Sequence, residues 1–220
     1  MGLYHALNRG VDGRLLFTDD SDRVRFVHDL FEFNDGKPTP HARASGKIGG
    51  FVNPHMREQL VLIHGWCLMH NHYHLLLSEL VEGGLILFLR KLNVGYANYF
   101  NERHVRAGAL FQGRTKKILV ENDPHFLYLL HYIHLNPLDY FEGAQGWRAR
   151  SKRGVRNAQA ALAYLDTYRW SSYLDYTGKR NFPSLVSTSL YDESFGNYGK
   201  DLREYVRGAE ADGLTNLRLE

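Results

Sequence analysis

Residues 60–69 and 72–78 are two apolar, strand-like stretches with only Met69 to Asn71 as a connection between them. So short a connection joins antiparallel strands, because parallel ones need a crossover of about a dozen residues or more. The pair therefore reads as a hairpin, and its second strand opens on His72-Tyr73-His74. Successive side chains in a strand point to opposite faces. His72 and His74 thus share a face, where both imidazoles can converge on a single ion.

The remaining elements are arranged around that hairpin. Before it, LYHALNR (3–9) has strand character and Gly10 to Gly13 supply a turn, after which residues 14–17 either continue the edge or lead out of it. A helix follows, with capping oxygens on Thr18 to Ser21 and an apolar stripe of Val24, Val27, Leu30 and Phe31. After the hairpin, residues 84–101 form the clearest helix, its stripe marked by Leu85, Phe88, Leu89, Leu92, Tyr96, Tyr99 and Phe100. Gly95 interrupts that helix at a cost of about 1 kcal/mol relative to Ala, which points to close packing at that position. Residues 109–120 end as a strand. In 123–137 Asp123 stands where an N-cap belongs, Pro124 at the first helical position, and Asn136-Pro137 where the helix must stop. The order β-α-β-β-α-β-α predicts an α+β fold, a ferredoxin-like (split βαβ) antiparallel sheet with packed helices. A helix near Ala158 to Tyr164 capped by Asn157, an aromatic and turn-rich YRWSSYLDYTG segment, and a last helix near 198–208 make a C-terminal helical extension. The expected division is a catalytic domain at 1–140 and a basic, aromatic extension at 141–220. Gly- and Pro-rich residues 34–59 would be a loop insertion in which His41 and His55 are exposed to solvent.

With 44% hydrophobic and 23% charged residues, the chain of 220 residues has enough apolar material for a core and too much for disorder. The single cysteine, Cys67, excludes an intramolecular disulfide. Apolar runs are broken well short of the roughly 18 residues a membrane span needs, so no membrane partner is expected and the reading is cytoplasmic. A net charge of +3 permits nucleic-acid binding, and the charges cluster. Arg114, Lys116 and Lys117 form one group, and Arg148, Arg150, Lys152, Arg153 and Arg156 form another that is equally a solvated loop.

Tyr132 and Asn136 are four residues apart on the 123–137 helix and share a face. Alone, either has an ordinary explanation, Tyr132 as a core aromatic and Asn136 as a helix-ending residue before proline. Tyr128, one turn earlier, competes for the role of Tyr132. Brought beside the histidine pair, however, they would make a site for metal-assisted phosphodiester cleavage. Two imidazoles and the Asn136 oxygen leave coordination positions open for substrate, in a Mg²⁺ or Mn²⁺ site. Tyr132 supplies a nucleophile that keeps the cleaved strand covalently attached.

Five stretches carry a resemblance: YHALNRG, CLMHNHYHLLL, YANYFNERH…GALFQGR, YLLHYIHLNP and YRWSSY. Together they resemble the REP-associated tyrosine transposases, of the single-tyrosine HUH class. That resemblance implies a transposase that nicks single-stranded DNA beside hairpins through a 5′-phosphotyrosine. His72, His74 and Asn136 would be the metal ligands and Tyr132 the catalytic nucleophile. The matching motif would offer DNA contacts at Gln112, Arg114 and Lys116, with Arg9, Lys117, Arg148 and Arg150 as further basic contacts. The protein would act as monomer or homodimer, associated with a bacterial nucleoid. The family usually has proline where this chain has His70, a residue that could compete for the ion. The alternative is a domesticated, non-cleaving DNA- or RNA-binding regulator on the same fold.

Overall fold

The structure is a computed structural model that describes residues 2–38, 57–121, 123–144, 146–149, 154–192 and 196–207. Most of the 34–59 stretch, with His41 and His55, lies outside the described residues, as do Arg150, Lys152 and Arg153. In chain order the elements are β1 (Leu3–Arg9), α1 (Asp20–Glu32), β2 (Val61–Leu68), β3 (His72–Glu79), α2 (Gly84–Arg103), β4 (Lys116–Leu119) and α3 (Asp123–Leu135). Shorter helices follow: α4 (Ala158–Leu165), α5 (Tyr173–Tyr176), α6 (Ser189–Asp192) and α7 (Tyr198–Val206).

The sheet runs β2-β3-β1-β4 and every pairing is antiparallel. β3 lies between β1 and β2, which is the split βαβ arrangement expected from the element order. Its two faces carry different material. Tyr73, Leu75 and Leu77 join the core under α1 and α2, together with Ala6, Phe26, Leu30, Phe88, Leu92 and Tyr96. His74 is also fully buried, and Leu76 beside it on the opposite face belongs to a second core with α3 and the C-terminal helices. A β-bulge between Ile63 and Gly65 switches the alternation of β2. As a result Val61, Ile63, Trp66 and Leu68 all face the first core, while Cys67 and Met69 face the second.

Helix α1 starts at Asp19, whose carboxylate accepts from the Ser21 and Asp22 amides, so the cap falls inside the Thr18–Ser21 window. The predicted stripe is displaced by part of a turn. Phe26, Val27 and Leu30 are buried, whereas Val24 is 45% exposed. Polar residues also face inward here: Arg25 and Asp29 form a buried ion pair, and Asp22 takes Arg103 and His104 from the end of α2. Leu16 and Phe17 reach the core from irregular backbone rather than from an extended edge. At the start of the long stretch the Asn34 amide binds the β2 entrance, accepting from Leu60 and Val61 and donating to the Val61 carbonyl. The Gly36 amide donates to the Glu58 carbonyl, so the two ends of the insertion meet in space.

Helix α3 crosses the sheet at Gly65, where any Cβ would come within 2.9 Å of Leu130. Its position is tied by His134, which is fully buried and hydrogen-bonded through Nδ1 to the Tyr198 hydroxyl and through Nε2 to Ser172 Oγ. Ser172 Oγ in turn accepts from the Trp66 amide of β2. One imidazole thus joins α3, β2 and α7. Asn157 caps α4 as expected, through Ala160. No helix among the described residues is long and apolar enough to cross a membrane.

Gly95 behaves as its position in the α2 stripe predicts. A Cβ there would lie 2.3 Å from the ring of Phe33, itself buried. Helix propensity alone favours Ala by about 1 kcal/mol, so the sign of the effect is diagnostic. Gly95→Ala is expected to lower the urea midpoint, with a net loss of about 1–2 kcal/mol from overpacking. A raised midpoint would mean that Phe33 moves aside freely.

Candidate active site

The alternation of β3 and β1 builds one wall of the site. His72 and His74 point to the α3 side, with ring centroids 5.0 Å apart and planes at 83°. His5 of β1 stacks on His74, centroids 5.1 Å apart, with its Nε2 2.9 Å from His74 Nδ1. The other nitrogen of His74, Nε2, is buried and has no hydrogen-bond partner among the described residues. His72 is half-buried, and its Nδ1 lies 2.7 Å from Asn71 Oδ1. A carboxamide oxygen only accepts, so Nδ1 is the donor of this hydrogen bond. Burial, with His5, His72 and nearby arginines adding to it, holds the His74 pKa well below the ordinary 6.5, so this ring is neutral.

Helix α3 builds the facing wall. The Tyr132 ring meets His74 edge-on at 5.6 Å and His5 at 6.1 Å. Tyr128 lies one turn away, 6.2 Å from Tyr132 and 6.0 Å from Tyr205. Asn136 is fully buried at the end of the helix, where its Nδ2 donates to the Tyr132 carbonyl at 2.9 Å. The fold therefore brings His72, His74, Tyr132 and Asn136 into one locality from segments far apart in the sequence.

Arg148 closes the site. Its Nη2 donates to Asn136 Oδ1 at 2.6 Å, its Nη1 pairs with Asp139, and its guanidinium lies 5.5 Å from the Tyr132 ring centroid. Burial opposes the positive charge, but Asp139 and Tyr132 outweigh it and raise the Arg148 pKa. Trp147 packs on Tyr132 at 5.6 Å and is anchored by Asp139. Consequently Tyr132 is only 3% exposed. Arg148, expected as a basic DNA contact, is 36% exposed and reaches Asn136 and Asp139 from the rim of the site.

The other predicted contacts surround the His72 end of the sheet. Arg9 pairs with His72 in the β1–β3 register, and its carbonyl accepts from the Gln112 amide. Gln112, Arg114, Lys116 and Lys117 are exposed, the last two on edge strand β4. His70 precedes the strand, is exposed, and stacks on Tyr140 at 3.9 Å. The sequence reading missed His5 and Asp139. Alternation places His5 on the same face as Leu3 and Leu7, but nothing in one sequence says which strand lies beside it.

The donor set suits a divalent ion. His74 presents an unpartnered buried nitrogen, and His72 is oriented by Asn71. Among the described residues no third His, Cys, Asp or Glu completes a cluster, so a further protein donor would be of another kind, as Asn136 is. Its oxygen is engaged by Arg148.

No family model and no curated protein matches this sequence. The chain is similar to a solved structure of a REP-associated tyrosine transposase bound to a REP hairpin, with a TM-score of 0.50 and 11% identity over 84% of this chain and 85% of that one. At that identity the likeness shows the fold.

Two fully buried histidines, His74 and His134, have pKa values depressed by burial. Both are neutral when folded, while the unfolded chain takes up protons as pH falls through about 6.5. Protonation therefore favours unfolding. Stability is expected to be complete above pH 6.5 and to decline progressively below it. The low-pKa carboxylate Asp22 contributes only nearer its ordinary 3.8. Thermal melts between pH 7.5 and 5 check this, and a flat melting temperature would contradict it.

Proposed function

We propose that the protein is a metal-dependent single-stranded DNA endonuclease and strand transferase that cleaves beside hairpins through a 5′-phosphotyrosine at Tyr132. The observation that carries this reading is the placement of the Tyr132 ring 5.6 Å from His74, whose Nε2 is buried without a hydrogen-bond partner among the described residues. A core tyrosine needs no such neighbour. An orphaned buried nitrogen, with a desolvation cost of about 1–3 kcal/mol, calls for a use.

In this mechanism Tyr132 Oη attacks the scissile phosphorus in line. The P–O3′ bond breaks, the 3′ oxygen leaves as a hydroxyl, and the 5′ phosphate remains on the phenol, whose proton is lost to solvent. The linkage keeps the energy of the phosphodiester, so attack by a 3′ hydroxyl rejoins strands without ATP. His72 and His74 would hold Mg²⁺ or Mn²⁺, joined by Asn136 once Arg148 leaves its oxygen. Such an ion supplies Lewis-acid polarisation of the phosphate. Imidazole donors favour manganese over magnesium, which prefers oxygen. Arg148 is a positive charge beside the nucleophile, and after leaving Asn136 it would stabilise the negative charge that develops on the phenol oxygen. Arg9, Gln112, Arg114, Lys116 and Lys117 would hold backbone phosphates leading to the His72 end of the sheet, so affinity would fall steeply with salt.

The burial of Tyr132 and the engagement of Asn136 by Arg148 favour a second reading, a non-cleaving DNA- or RNA-binding regulator. One assay separates the two. Labelled single-stranded hairpins are incubated with the protein and Mn²⁺ or Mg²⁺, then run under denaturing conditions. A covalent adduct is expected from the wild type and from Tyr128→Phe, and none from Tyr132→Phe. Hairpin binding without adduct, with Mn²⁺ shown to be bound, would leave the regulator standing.

Phosphate contacts are tested apart from chemistry. Arg9→Ala with Arg114→Ala should reduce the salt dependence of hairpin binding by about two released counterions. An unchanged slope would remove this surface from the DNA path.

A further inference from the structure

We infer that His5 is a positioning residue for the metal site. By accepting a hydrogen bond from His74 Nδ1, it fixes the tautomer of His74 that leaves Nε2 able to bind a divalent ion. The inference rests on the metal-dependent reading and adds to it a residue outside the His72, His74, Asn136 and Tyr132 set.

The geometry is specific. In the β1–β3 register His5 stands opposite Leu76 and Leu7 opposite His74, so His5 and His74 are diagonal neighbours on one face. Both are fully buried, their planes lie within 17° of parallel, and the two nitrogens are 2.9 Å apart. Tyr132 closes on the edges of both rings. Between two neutral imidazoles one nitrogen must donate and the other accept. If His5 Nε2 donates, the His74 proton is forced onto Nε2, and its lone pair is lost to an ion. If His74 Nδ1 donates, Nε2 is the bare nitrogen, and the His5 proton sits on its own Nδ1. The direction of one hydrogen bond therefore decides whether His74 is a ligand.

His74 Nε2 is buried and has no hydrogen-bond partner among the described residues, and the bond from His72 Nδ1 to Asn71 Oδ1 gives a neutral His72 ring the matching tautomer. Metal-ligating histidines commonly donate their second nitrogen to a carboxylate or carbonyl that sets ring orientation. In this chain an imidazole in its Nδ1–H form takes that part.

The test uses the full chain and Mn²⁺ alone, with loss of the free-ion electron paramagnetic resonance signal as the readout. His5→Phe keeps a ring but offers no acceptor, whereas the amide oxygen of His5→Gln reaches the position of Nε2. Relative to wild type, His5→Phe is expected to weaken Mn²⁺ binding about 10–100-fold, with most of that loss recovered in His5→Gln. The ¹⁵N imidazole spectrum of the metal-free wild type should show the His74 proton on Nδ1, a readout that needs no variant to fold. Binding lost in His72→Ala but unchanged in folded His5→Phe would overturn the role of His5 while leaving the metal reading intact. Equal losses in His5→Phe and His5→Gln, or a His74 proton on Nε2, would also overturn it. Wild-type protein that takes up no Mn²⁺ would overturn the metal reading and this one together.

Discussion

Strand β3 is paired on both edges and covered on both faces, and the rest of the molecule depends on that double burial. One face, Tyr73, Leu75 and Leu77, is sealed by α1 and α2. The other would bury His72 and His74 against whatever crosses it, and what crosses it is α3. Apolar burial near Leu76 makes the crossing favourable, but it also removes water from two imidazoles. The answer is polar and local: His5 for one nitrogen of His74, and Asn71 for one nitrogen of His72.

The crossing helix is positioned by a second device. Gly65 lets Leu130 approach the sheet, and His134 binds Ser172 and Tyr198 on either side. Leucines alone would allow α3 to slide or rotate with little penalty. A buried imidazole with directional partners does not, because any shift leaves polar atoms unsatisfied at about 1–3 kcal/mol each. Tyr132 lies about half a turn before His134 on the same helix. The knot that fixes one fixes the other, and residues well past 140 hold the tyrosine in place.

Much of this was legible in order and spacing. Strand alternation put His72 and His74 on one face, and helical spacing put Tyr132 and Asn136 on one face. Gly95 in an apolar stripe pointed to close packing, and Phe33 is what packs there. The α1 stripe was misplaced because its inward face carries Asp22, Arg25 and Asp29, and buried ion pairs leave no trace in an apolar periodicity. Arg148 read as one charge in a solvated run. Its place against Asn136 and Asp139 comes from the turn at Trp147, a feature with no periodicity to read.

By itself the sequence determined the elements, their order, the antiparallel pairing that so short a hairpin requires, the split βαβ sheet expected from that order, and which residues share a face within each element. These follow from local geometry, with periods of 2 and 3.6 residues acting on a few neighbours at a time. Only the tertiary structure decided which faces meet. It set Tyr132 against His74, chose His5 as the neighbour of that ring, and joined Arg148 to Asn136 and Asp139. The physical reason is that such meetings depend on strand register, on the bulge at Ile63–Gly65 and on the directional bonds of His134. Each of these joins residues that lie far apart along the chain.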